Sequence, residues 1–102
     1  SQFVNDEIQL PNIFGVFSEK SFVKLIKKIK DVKFNYDEIK NFYFFPSKRW
    51  DIEMKNNLII KLPKNNLESS LIKINKIINN GKFNNKKIID LRIKNQVIVS
   101  DE

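Results

Sequence analysis

Apolar positions follow two periods along this chain, and the switches between them mark the elements. Phe22, Leu25, Ile26 and Ile29 fall at i, i+3, i+4 and i+7, one face of a helix. Ser18 precedes this run as an N-cap, and Glu19 in the first turn suits the helix dipole. Ile39 to Phe45 is short, aromatic and closed by Pro46, which predicts a strand. Strict alternation follows, with Trp50, Ile52 and Met54 on one face and Asp51, Glu53 and Lys55 on the other. Asn56-Asn57 is a turn signal, and Leu58, Ile60 and Leu62 resume the alternation up to Pro63, so 50–62 predicts a β-hairpin. Leu67, Leu71, Ile74 and Ile78 return to helical spacing behind Asn66 as N-cap, with Ile77 beside them. Gly81 suits the position just past that helix. In 88–93, Ile89, Leu91 and Ile93 alternate with Asp90 and Arg92, predicting another strand. Lys94-Asn95-Gln96 then turns the chain into a last short strand at Val97-Ile98-Val99.

The predicted order is helix, three strands, helix, two strands. Helix and strand do not alternate regularly, so the expected class is α+β: a mostly antiparallel sheet with two amphipathic helices packed on one face. Ahead of the first helix, Pro11 favours an extended Leu10, and Gly15 permits a positive φ. Leu10 to Gly15 therefore reads as a structured turn anchored by Ile13 and Phe14. Ser1 to Leu10 reads as the tail of a preceding element, and a basic polar loop is expected before Ile88. The 102 residues make one domain. The first residue is Ser rather than Met, so the chain is expected to be a fragment of a longer protein.

Composition narrows the chemistry. The chain has no Cys and no His, which removes thiol nucleophiles, disulfides, imidazole bases and soft metal sites. With two Gly, no glycine-rich phosphate loop can form. Asp51 and Glu53 share a strand face, about 7 Å apart by the strand rise. They alternate with core residues, so they read as a solvated face rather than an acid/base pair. Asp6-Glu7 and Asp101-Glu102 read as exposed end groups. The expectation is a non-enzymatic domain with no cofactor, no metal and no small-molecule substrate.

The net charge of +7 raises a second class, a nucleic-acid-binding module that stacks bases on Phe42 to Phe45. The lysines, however, are spread along the whole chain and accompany abundant Asn and Ile, the joint bias of an A+T-rich coding sequence. Solvated helix faces account for them, and a sheet core accounts for the aromatics. Arg49 and Arg92 are the two arginines, and in so lysine-biased a chain they are the basic positions to weigh individually. No run approaches the ~18 apolar residues that would span a bilayer.

Three stretches in order resemble a known family. Leu10-Pro11-Asn12-Ile13-Phe14-Gly15 is similar to a leucine-proline motif ending in aromatic-glycine. Lys48-Arg49-Trp50-Asp51-Ile52-Glu53-Met54-Lys55-Asn56-Asn57-Leu58 is similar to a basic-then-Trp strand followed by a polar turn. Ile89-Asp90-Leu91-Arg92-Ile93 is similar to an apolar-Asp-Leu-Arg strand. Together they resemble the C-terminal β domain of the FtsQ (DivIB) family of bacterial cell-division proteins, across nearly the whole chain. The resemblance implies a periplasmic domain without catalytic activity, in a single-pass inner-membrane protein whose membrane helix and POTRA domain lie upstream. It also implies a complex with FtsB and FtsL at the division septum.

In that family FtsB adds a strand to the edge formed by the final strand. An open edge offers unpaired N–H and C=O groups to a partner. Here the final strand, Gln96 to Ser100, is apolar and free of charge. The expected partner-binding residues are Lys48, Arg49, Leu91, Arg92, Ile93, Asn95, Gln96, Val97, Ile98, Val99 and Ser100. The basic ones would face carboxylates of the partner. A proline at Ile98 is expected to block strand addition and spare the fold. Two departures stand out. Ile93 replaces an aromatic that is common in the family, and Ser100-Asp101-Glu102 follow the valines where a further aromatic is common.

Overall fold

The computed structural model describes residues 10–81 and 87–101. The expected tail at 1–9 with Asp6-Glu7, the loop at 82–86 and Glu102 lie outside the described residues. The elements run β1 (Asn12–Phe14), α1 (Glu19–Asp31), β2 (Ile39–Phe44), β3 (Trp50–Met54), β4 (Ile59–Lys61), α2 (Leu67–Asn80), β5 (Ile88–Asp90) and β6 (Ile98–Ser100). All six strands form one sheet in chain order, β1-β2-β3-β4-β5-β6.

The α+β class holds, and the sheet is mixed. β1 pairs parallel with β2 across α1, and β4 pairs parallel with β5 across α2; the other neighbours are antiparallel. Each helix is thus the crossover of a β-α-β unit, because parallel neighbours need a long connection. β1 corrects the expectation of a turn at Leu10–Gly15. Ile13 pairs with Phe42 and packs against the core, while Phe14 points to the other face and stacks on Tyr43 with ring centroids 5.3 Å apart.

One cross-strand row explains why the helices sit where they do. Ile13, Phe42, Ile52, Ile60, Ile89 and Val99 stand side by side from β1 to β6. The middle four are at most 1% exposed. Leu25 and Ile29 of α1 and Leu71 and Ile74 of α2 close over this face. Phe22 meets Phe42 edge-on at 5.3 Å, and Trp50 packs among Phe17, Phe22, Phe42 and Phe44. The aromatics of β2 therefore go mainly into the core, as the sheet reading expects: Phe42 is fully buried and Phe44 lies against Trp50.

The helix ends follow local chemistry. The Ser18 hydroxyl accepts the Ser21 N–H at 3.0 Å, the expected N-cap. At the far end of α1, Phe34 N–H reaches the Ile29 carbonyl and Lys33 N–H the Lys30 carbonyl, with Lys33 at φ 59. This is a Schellman closure with lysine where glycine is usual. Asn66 does sit at the N-cap of α2, but in the left-handed region, and its side chain makes no cap bond. Gly81 closes α2 at φ 72.

Two of the sequence-derived strand limits change. The strand expected over 88–93 stops at Asp90, and the last strand starts at Ile98 rather than Val97. Ile89 and Leu91 are buried as expected, yet Ile93 is 52% exposed and leaves the core face. The cause is Arg92, whose N–H turns back to the Asp90 carboxylate at 3.0 Å and takes the chain out of the sheet.

Candidate functional site: the helix-free face and the final strand

The face opposite the helices carries two further rows. Asn41, Glu53, Ile59, Ile88 and Ser100 form one; Tyr43, Asp51, Lys61, Asp90 and Ile98 form the other. Asn41 of the first row and Tyr43 of the second both donate to the same Glu53 oxygen, at 2.8 and 2.7 Å. These bonds hold the Glu53 carboxyl below its ordinary value. The sequence pattern gave no reason to single out Asn41 and Tyr43. The signal was present in the hairpin register, which sets Asn41 opposite Glu53.

In the second row the charges alternate. Arg49 donates to Asp51 at 3.2 Å and to the Leu62 carbonyl at 3.0 Å, and its guanidinium lies 5.2 Å over the Phe45 ring. Arg92 holds Asp90 in a fork, with Nε to Oδ1 at 2.9 Å and Nη2 to Oδ2 at 2.7 Å. Lys61 stands between the two aspartates. β4 and β5 end where β3 and β6 begin, so Arg49, Arg92 and the start of β6 share one end of the sheet. Asp51 and Asp90 lie two strands apart, about 9.5 Å at the usual strand spacing. The structure thus brings Arg49 and Arg92 onto one face beside Ile98. Each already has a carboxylate within the chain. Lys48 stays apart from this row: it is exposed at the β2–β3 turn with φ 68. Asn95 takes the matching left-handed position in the β5–β6 turn, φ 64.

The two aspartates differ electrostatically. Asp51 is 6% exposed, and burial pushes its carboxyl above the ordinary value against the pull of Arg49. The Arg92 side chain holds Asp90 below its ordinary value. The signs are therefore opposite. Asp90 contributes stability above the ordinary carboxylate range, and this is lost as pH falls below it. Asp51 carries a penalty that is complete above its raised value and fades as pH falls through that value into the ordinary range. Asp51→Asn removes the penalty, and Arg49 keeps the Leu62 carbonyl. The variant should melt above the parent at neutral pH, with the gap closing in acid. Thermal melts across pH check this; a gap that widens in acid contradicts it.

β6 is the end of the strand order. Ile59 N–H donates to Lys87 O and Leu91 N–H to Lys61 O, so 89 and 91 turn their peptide groups toward β4, while the Lys87 N–H turns the other way, to Ser100 O. Successive residues turn to alternate edges, so Ile88 and Asp90 bond Ser100 and Ile98. The N–H and C=O of Val99 are thereby directed to the outer edge. Val97 and Ile98 are 37% and 44% exposed.

Among the described residues no helix is long and apolar enough to cross a membrane. Comparison with curated proteins returns no match. Residues 2–92 match the family profile described as cell division protein FtsQ/DivIB, C-terminal, and the matched stretch stops at Arg92, ahead of β6. A match over that much of the chain places this protein in the FtsQ/DivIB C-terminal family, and it is a cell-division protein domain.

Proposed function

We propose that this domain is a non-catalytic scaffold of the division machinery that takes a strand of FtsB onto the outer edge of β6, within a complex that includes FtsL. The observation that carries this is the end position of β6, with Val99 presenting its backbone outward. Main-chain pairing supplies affinity in such contacts, and alternate side chains supply register. Ile98, on the helix-free face, and Val99, beside the core row, are those side chains. The domain acts as a single folded unit outside the cytoplasmic membrane, tethered by a segment that is not among these residues. Neither a nucleic acid nor a small molecule enters this reading.

Arg49 and Arg92 lie beside the proposed added strand as recruiters of its carboxylates. Because Arg92 is held by Asp90, it presents an oriented guanidinium rather than a freely rotating one, which lowers the ordering cost of a partner contact. Lys48, Leu91, Ile93, Asn95, Gln96 and Val97 form the rim of the same proposed surface. Arg92→Gln removes the charge and keeps the polarity. Titration of an FtsB segment should show about a tenfold loss of affinity at low salt, shrinking at high salt. Unchanged affinity at low salt, with the fold intact by circular dichroism, removes Arg92 from the interface.

A further inference from the structure

Four residues of α1 form a stripe that neither the core nor α2 takes up fully. Glu19, Val23, Ile26 and Lys30 fall at i, i+4, i+7 and i+11, one line along a helix. Leu25 and Ile29 face the core. Lys24 and Lys28 face α2: they share a groove with Leu67 and Ile72, and Lys28 meets Glu68 at 3.7 Å. The helical turn therefore leaves the stripe on the flank away from α2. α1 crosses from β1 to β2 and α2 from β4 to β5, so that flank overhangs the β1 edge of the sheet. A groove of about 460 Å³ runs along it, lined by Phe22, Val23, Ile26, Lys27, Lys30 and Asp31. Val23 is 57% exposed on a helix that is otherwise rich in lysine. Nearby, residues 10–16 carry no charge and expose Leu10, Phe14 and Val16.

We infer that this flank pairs with the same flank of a second copy of the chain, α1 against α1 in antiparallel order. The stripe reads acid, apolar, apolar, base, so a two-fold axis between positions 24 and 25 makes it its own complement. Glu19 then stands opposite the second copy's Lys30, Val23 opposite its Ile26, and Phe22 opposite the stem of its Lys27. In this register no lysine of the groove faces another lysine. Each copy carries a net charge of +7, so two copies approach with least repulsion where charges cancel across the axis and the adjoining surface is uncharged. The axis brings the two 10–16 segments alongside each other. Both β6 edges lie at the far ends of the pair, so the inference stands independently of strand addition.

Sedimentation equilibrium of the chain should show monomer and dimer exchanging with a dissociation constant of about 0.1–1 mM, as a contact this small implies. Glu19→Lys or Lys30→Glu alone should weaken the dimer about tenfold, because each dimer holds two such pairs and one reversal turns both into like charges. The two substitutions together should restore it to within about threefold of the parent. Positions 19 and 30 cannot pair within one helix, where they are about 16 Å apart. Both substitutions also oppose the dipole of α1, so rescue in the double variant comes only from contact between copies. Val23→Lys should weaken the dimer by a similar factor, and Val99→Pro should leave it unchanged. A chain that stays monomeric overturns the inference, as does one that binds anionic phosphatidylglycerol vesicles through this stripe as a monomer. So does a double variant as weak as the single ones, or a dimer lost in Val99→Pro, which would place self-association at β6. Glu19, Val23 and Lys30 are exposed, and unchanged melting of each variant ensures that a loss is not unfolding.

Discussion

Gly15→Ala should destabilise the domain by about 2–6 kcal/mol, the sum of backbone strain and a steric overlap each of about 1–3 kcal/mol. Gly15 sits at φ 110, a backbone region that residues with a Cβ rarely adopt. A Cβ built there would also overlap the Phe44 carbonyl oxygen and crowd the Phe44 Cβ. The overlap is with strand backbone, so no side-chain rotation relieves it. Gly15 is where the chain leaves β1 at the edge of the sheet and passes Phe44 on its way to α1. Moving it away would pull Ile13 from Phe42 and Phe14 from Tyr43. For a domain of this size the total stability is about 5–15 kcal/mol, so the variant loses a substantial share of it. Urea denaturation checks this; a midpoint within error of the parent would mean that the close approach to Phe44 is not maintained in solution.

The second large effect is on binding. Val99→Pro should weaken the FtsB segment about a hundredfold or more, equivalent to about 2.8 kcal/mol. Proline removes the outward N–H and places its ring where a paired strand would lie. The bonds from Ile98 and Ser100 to β5 survive. The sequence-based choice of Ile98 for this substitution is corrected by the register. Asp90 pairs with Ile98, so the Ile98 N–H points into the sheet. A proline there would detach β6 from β5 and confuse loss of fold with loss of binding. Calorimetric titration distinguishes the variants, and affinity for Val99→Pro within about threefold of the parent would contradict strand addition.

What the chain reveals in advance follows from length and period. The 50–62 hairpin has two full alternating runs around Asn56-Asn57, and the structure keeps both with Asn57 at φ 73. The helices show their core faces through spacing alone, and Leu25, Ile29, Leu71 and Ile74 are all buried. β1 is three residues long, too short to display a period, and its parallel pairing with β2 leaves no local trace. The alternation through Ile93 misled for a different reason. The pattern continues in the sequence, but the Arg92–Asp90 fork ends the strand, and an ion pair between residues two apart is invisible to a hydrophobic count.

The candidate site was legible in its parts more than in its arrangement. Arg49 and Arg92 stood out by composition, and the apolar Val97-Ile98-Val99 by position. That both arginines hold a neighbouring aspartate, with Lys61 between, depends on a β3-β4-β5 order that joins segments far apart in the chain. The burial of Asp51 was likewise hidden, because strand alternation assigned it to a solvated face while its neighbours cover it. The direction of the Val99 peptide required the parity of β5, which two hydrogen bonds to β4 fix.

Amide hydrogen exchange at Val99, with and without a saturating FtsB segment, tests strand addition most directly. The Ile98 amide, bonded to β5, should be protected in both states. The Val99 amide should exchange quickly in the free domain and slow by at least tenfold when the segment is bound. A bound segment that leaves Val99 exchange unchanged would contradict edge pairing at β6.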